Sequence, residues 1–414
     1  MFFFYFIVLL SAVPNHPWFG EQVNGLTLIK YLGILCLLYT IYYLAARRPN
    51  INLFHTWPDR LFILLFILVL GSKLLTLDST GSLGGSFFTI YLSVCLLFFT
   101  TRCLITSFPR FVHAILALIG ALVLASAYSL REYQIAGFST YRPGWVAGDA
   151  NLFAAATLLA MPLAYHWMMV TRSFKERWFC AGALLVVFAA FVVSGSRGAF
   201  VGLCATSITM FLRSRHKFRL VMTGLLLVPL LVFAPTSPIK RIVAPEYGDI
   251  ASTSAHETLW RFGVQMALEH PLAGIGLGNF KPMTVRYHIL EHAAAVGHNS
   301  YIEMATELGV FGFLAFVGII ASTLVLLEKI QKRASQIRDK YLAALSAGLQ
   351  EGLIGFAVAA FFFSAQYEKP LWIAIFLSSA LFGIAQRSTS ARGASVANGN
   401  RARTFAVEKP KAAV

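Results

Sequence analysis

Three side chains invite a chemical reading: Arg197, Arg261 and His298. Arg197 stands in FVVSGSRGAFVG, and from Trp178 to Leu212 no other side chain carries a full charge at neutral pH. A run of that hydropathy belongs in a bilayer, where an ionised guanidinium costs at least about 2.5 kcal/mol unless it reaches water or a partner. The planar guanidinium fork matches phosphate oxygens, so an arginine kept at a membrane edge points to an anionic ligand such as a pyrophosphate. Reaching out to lipid headgroups is the plainer alternative. Arg142, Arg261 and Arg286 fall in segments on the same side and could join it. His298 directly precedes a helix-start pattern, Ser300 with Glu303. The positive end of a helix dipole disfavours imidazolium there and leaves a ring able to accept a proton, although a ring bonded to loop backbone fits as well.

Two acidic groups complete the set. Asp149 in GDANLF stands where a helix should begin, suited to N-capping or to substrate contact. Glu351 is a second charge inside an apolar run, to be satisfied by a partner such as Lys30 or by protonation. The outer segments hold no DxD pair, and no His/Asp/Glu group has metal-ligand spacing. Guanidinium groups rather than a metal would then neutralise a bound pyrophosphate.

These residues sit in a chain of 414 residues that is 57% hydrophobic and 13% charged. Apolar stretches long enough to cross a bilayer recur at about 2–18, 24–46, 59–77, 84–103, 108–128, 150–170, 178–194, 197–212, 218–236, 300–327, 340–363 and 369–386. MFFFYFIVLL lacks the basic leader of a cleavable signal and counts as a span. The expected fold is an all-α polytopic membrane protein, because only helices satisfy so much backbone inside lipid. The run holding Arg197 is too long for one span, so Ser194-Gly195-Ser196 should turn a helical hairpin with Arg197 at its mouth.

The net charge of +16 is topological. Basic residues crowd alternate loops (Arg172, Lys175 and Arg177; Arg213, Arg215, Lys217 and Arg219; Lys329, Lys332, Arg333, Arg338 and Lys340) and the end of the chain. The positive-inside rule makes that side cytoplasmic, with both termini inside, and argues against nucleic acid as a partner. Five cysteines without a CxxC pair support neither a disulfide nor a metal cluster. The organisation expected is residues 1–233 as nine spans, 234–299 as an outer loop domain, 300–386 as three spans and 387–414 as a disordered tail.

Two sizeable segments lie outside, 130–149 and 234–299, and the second is long enough to be ordered. Within it Ser254 and Glu257 mark a helix start that Pro271 ends, with Arg261 one turn after Glu257 for an ion pair. GIGLGNF lacks the strand that a nucleotide-binding turn requires and is expected to form tight turns.

SGSRGAFVG, LWRFGVQMALEHPLAGIGLGNF and GHNSYIEMATELGVFGF, in that order, resemble the bacterial O-antigen ligase and polymerase superfamily, as does GDANLFAAATLLAMPLAYH upstream. The resemblance runs from about Gly144 to Phe313. It implies a GT-C-like, inverting, metal-independent glycosyltransferase in the inner membrane, facing the periplasm. Its donor would be a glycan on undecaprenyl pyrophosphate and its acceptor lipid A-core. Two arginines and a histidine, matching Arg197, Arg261 and His298, would be catalytic. Arg142, Asp149, Asn151, Arg286 and Asn299 are candidates for substrate contact. Polymerases and pilin oligosaccharyltransferases share the pattern, and a flippase or exporter of lipid-linked glycan is a rival class.

Overall fold

The computed structural model describes residues 1–13, 22–23, 26–47, 53–75, 82–138, 141–144, 149–214, 217–290 and 294–387. Pro14 and the tail expected to be disordered lie outside them. Helices α1 (Phe2–Leu10), α2 (Leu28–Arg47), α3 (Trp57–Leu75), α4 (Ser82–Leu104), α5 (Phe108–Ile135), α6 (Ala150–Val170), α7 (Phe174–Ser194), α8 (Arg197–Arg213) and α9 (Lys217–Phe233) lead into the segment that precedes Ser300. That segment holds α10 (Pro238–Val243), α11 (Tyr247–Glu269) and α12 (Phe280–Arg286), and α13 (Ser300–Gln336), α14 (Lys340–Ala359) and α15 (Lys369–Arg387) follow. Apart from a two-residue ladder pairing Gln22–Val23 with Leu26–Thr27, the described residues are helix and connection.

Among the described residues, α2, α4, α5, α6, α7, α13, α14 and α15 are long and apolar enough to cross a bilayer, which makes this a multi-pass membrane protein. The other four expected spans are helical but differ from expectation. α8 and α9 have 17 residues each, and α3 carries Asp59, Arg60 and Lys73. The first span, expected over 2–18, closes after nine residues at Leu10. At 1.5 Å per residue that is roughly 14 Å, half of the hydrocarbon thickness.

α14 packs against α6 and α8 through small residues. A Cβ on Gly202 of α8 would meet the Gly355 carbonyl of α14 at 2.5 Å, so only glycine lets these backbones touch. Glu351 of α14 is buried and bonds His166 of α6 at 2.6 Å. Lys30 is therefore not its partner: α2 lies elsewhere in the bundle, and the α6–α14 contact supplies the imidazole instead.

One end of the bundle gathers the start of α6, the α7–α8 turn, the start of α13 and the α14–α15 connection. Ser300 bonds the Ala360 and Phe363 carbonyls there, and Gly198 lies against Phe362. The opposite end carries the basic turns after α6, α8 and α13.

The glycine-rich stretch after α11 does form turns, and it has a second task. α13 breaks at Gly309, whose φ of 67° suits glycine. The stretch docks on that break: Ile275 and Gly276 donate to the Thr306 and Glu307 carbonyls, and Val310 donates to the Pro271 carbonyl. This clamp holds the C-terminal end of α11 against α13.

Candidate active site

The α7–α8 turn is the centre of the site. Gly195 takes φ 60° as the cap of α7, and Ser196 caps α8 by accepting from the Ala199 N–H at 3.3 Å. Two arginines hold the turn. Arg142 Nε donates to the Ser194 carbonyl at 2.8 Å, and Arg241 donates to the Gly195 carbonyl at 2.5 Å. Arg241 also pairs with the Asp249 carboxylate, while Arg197 donates to the Asp249 backbone carbonyl at 3.2 Å and stands 4.0 Å from that carboxylate. Three guanidinium groups thus surround one buried carboxylate, which leaves an excess of positive charge. Burial would raise the Asp249 pKa, but the hydrogen bond and charge of Arg241 outweigh it and hold the carboxyl below its usual value. Burial and the charge of Arg241 bring Arg142 down to about 10, still cationic at neutral pH.

These groups wall a cavity of about 470 Å³. Arg142, Arg197, Arg241 and His256 form its polar side, and Val201, Ile242, Trp260 and Phe362 form its apolar side. The Trp260 indole N–H is buried and has no partner among the described residues. The His256 ring lies face to face with His298, with centroids 4.6 Å apart. Burial, His298 and Arg197 lower His256 to about 4. Burial also lowers His298, while the charge of Asp149 opposes that shift. Both rings are neutral at pH 7, and Asp149 makes His298 the better proton acceptor of the two.

Residues 181–317 match a family model described as O-antigen ligase. Over those residues the chain is similar to the O-antigen ligase family, which supports membership of that superfamily. No curated protein matches it. The matched segment contains Arg197, Arg241, Asp249, His256, Arg261 and His298, and the matching family is one of glycosyltransferase-like enzymes.

The structure brings some of the expected residues together and leaves others apart. Arg197 lines the cavity, and His298 reaches its wall through His256. Arg261 does not join Arg197: its side chain is 80% exposed and bonds Glu257 at 2.6 Å, the pair expected from their spacing. α11 starts at Tyr247 under a Glu246–Asp249 capping box rather than at Ser254, so Arg261 lies well inside the helix and faces outward. Arg286 is exposed at the end of α12, away from the cavity. Asp149 caps α6, accepting from Asn151 at 2.7 Å and Leu152 at 3.3 Å. Asn151 lines the cavity and accepts from Arg142 at 2.6 Å. Asn299, not Ser300, caps α13, accepting from Tyr301 and Ile302.

Glu303 is thereby free for another task. Its buried carboxylate accepts from the Gly297 N–H, from the Ser364 hydroxyl at 2.5 Å and from Gln366 at 2.5 Å. Ser364 Oγ in turn accepts the His298 N–H at 3.2 Å. This network holds His298 at φ 48°, a left-handed conformation that a non-glycine residue keeps only under constraint. Arg241, Asp249 and His256 were not singled out from sequence. For His256, the one available signal was its position one turn before Trp260.

Proposed function

We propose that the chain is the ligase of its superfamily, transferring a glycan from undecaprenyl pyrophosphate to a sugar hydroxyl of lipid A-core on the periplasmic face of the inner membrane. The observation that carries this reading is the half-cationic, half-apolar cavity at the end of the bundle away from the basic turns. The positive-inside rule puts those turns in the cytoplasm and the cavity outside. An amphiphile with an anionic head fits such a cavity. Its diphosphate would lie against Arg197, Arg241 and Arg142, and its prenyl chain would leave past Val201 and Phe362 into lipid.

The acceptor oxygen attacks the anomeric carbon from the face opposite the diphosphate. As that bond forms, the anomeric carbon–oxygen bond breaks and its electron pair leaves with the diphosphate, where the fixed guanidinium charges stabilise it. His298 accepts the hydroxyl proton. Arg261, held by Glu257 at the rim, serves the acceptor side. The reaction needs no metal, since the guanidinium groups supply the charge.

The test uses purified protein in nanodiscs with lipid-linked glycan, lipid A-core and EDTA, resolved on a gel. Joined glycan and lipid A-core is the expected product. Lengthened lipid-linked glycan without it would make the protein a polymerase, and no transfer of either kind would overturn the reading.

A further inference from the structure

α11 carries two rows on the face that leads away from the guanidinium cavity. Trp260, Val264 and Leu268 recur every four residues, and Leu272 extends their row past the helix end. Glu257, Arg261, Gln265 and Glu269 form a parallel row, joined by the Arg261–Glu257 pair and by a Gln265–Glu269 bond of 2.8 Å. The apolar row is open: Val264 is 47% exposed, Leu268 76% and Leu272 66%. With Ile302 of α13, residues of both rows line a groove of about 660 Å³. Exposed apolar surface of this kind marks a contact site when it is contiguous.

Two continuities say what covers it. Glu257 and Trp260 line both this groove and the cavity of Arg197. At its other end Leu272 lies against the break at Gly309 of α13, after which Val310, Phe311 and Leu314 are exposed on a helix long and apolar enough to cross the membrane. The surface therefore starts at the reacting groups, passes an aromatic ring with hydrogen-bonding side chains beside it, and runs into hydrocarbon. The donor needs the guanidinium groups of the other cavity, and inversion requires the second substrate to approach from across it. His256, one turn before Trp260, puts the imidazole pair at the junction of the two spaces.

We infer that this groove docks the lipid-anchored acceptor, its saccharide along Glu257, Arg261 and Gln265 against Trp260, and its acyl chains over Val264, Leu268 and the outer part of α13. The inference rests on the glycosyltransferase reading above. Transfer from undecaprenyl-pyrophosphate-linked glycan is measured in nanodiscs with two acceptors, intact lipid A-core and the same core oligosaccharide stripped of its acyl chains. The wild-type protein should prefer the acylated acceptor in kcat/KM, and Leu268→Asn or Val264→Asn should narrow that preference about tenfold, the worth of partly burying one aliphatic side chain. Both positions are exposed, and an unchanged KM for the donor verifies that each variant is folded. Absence of a wild-type preference overturns the inference. So does a preference that survives both substitutions, which would mean that bilayer lipid alone covers the row. Failure of the wild-type protein to transfer to either acceptor would instead bring down the functional reading.

Discussion

The rings of His256 and His298 stack at 4.6 Å with their planes 16° apart, one ring from α11 and the other from the residue before the cap of α13. Two imidazoles that close cannot both hold a proton, and burial opposes even one. Both pKa values lie below the ordinary 6.5, so the neutral pair persists through neutral pH.

A pH profile checks this. kcat/KM should stay flat down to about 6.5 and fall only below it. His256→Ala opens His298 to water and should move that acid limb upward, whereas His256→Phe, which keeps a stacked ring, should move it less. Stability follows the same sign: a depressed histidine pKa contributes above the unfolded value of 6.5 and is lost as pH falls toward the folded value of about 4 for His256.

Arg241 and Arg261 separate by kinetic signature. Arg241 holds both the α7–α8 turn and Asp249, so Arg241→Ala should lower kcat about 10²–10³-fold through lost leaving-group stabilisation. Arg261→Ala should act mainly through the KM of the acceptor. Equal loss of kcat in both variants, with acceptor KM unchanged, would return Arg261 to the diphosphate.

Glu303 acts on His298 through Ser364 and Gly297. Glu303→Gln keeps the shape, yet it replaces one acceptor oxygen with a donor, so either Ser364 or Gln366 loses its acceptor. Turnover should drop about tenfold or more, with the KM of the donor unchanged, since small displacements of an aligned base are costly. A Ser364→Ala variant of full activity would remove this positioning role.

His166 and Glu351 serve stability. Removing the imidazole leaves a carboxylate that is 2% exposed without its partner, which costs about 1–3 kcal/mol. His166→Ala should therefore lower the melting temperature in detergent while the KM values for donor and acceptor hold. Altered KM values at equal stability would place the pair in the reaction path instead.

Much of this architecture was legible in sequence because its causes are local. Hydropathy over a helix length marks the membrane helices, glycine between two serines marks the hairpin turn, and Asp149 before Ala150 marks a cap, each decided by neighbours a few residues away. Capping motifs misled where a second local cap competed. The Glu246–Asp249 box starts α11 two turns before Ser254, and Asn299 takes the cap from Ser300.

Hydropathy and capping chemistry alone specified a bundle of apolar helices with Arg197 at a helix mouth. Which groups meet Arg197 was decided by the fold. Residues 241–256 return to a turn at 194–197 that is far away in sequence, and the glycine-rich stretch pins α11 to broken α13 so that His256 reaches His298. Such contacts depend on how helices pack and where loops land, which residue type and spacing do not encode. Hence Arg241 and His256 joined Arg197 only in three dimensions, while Arg261 turned outward to the neighbouring groove.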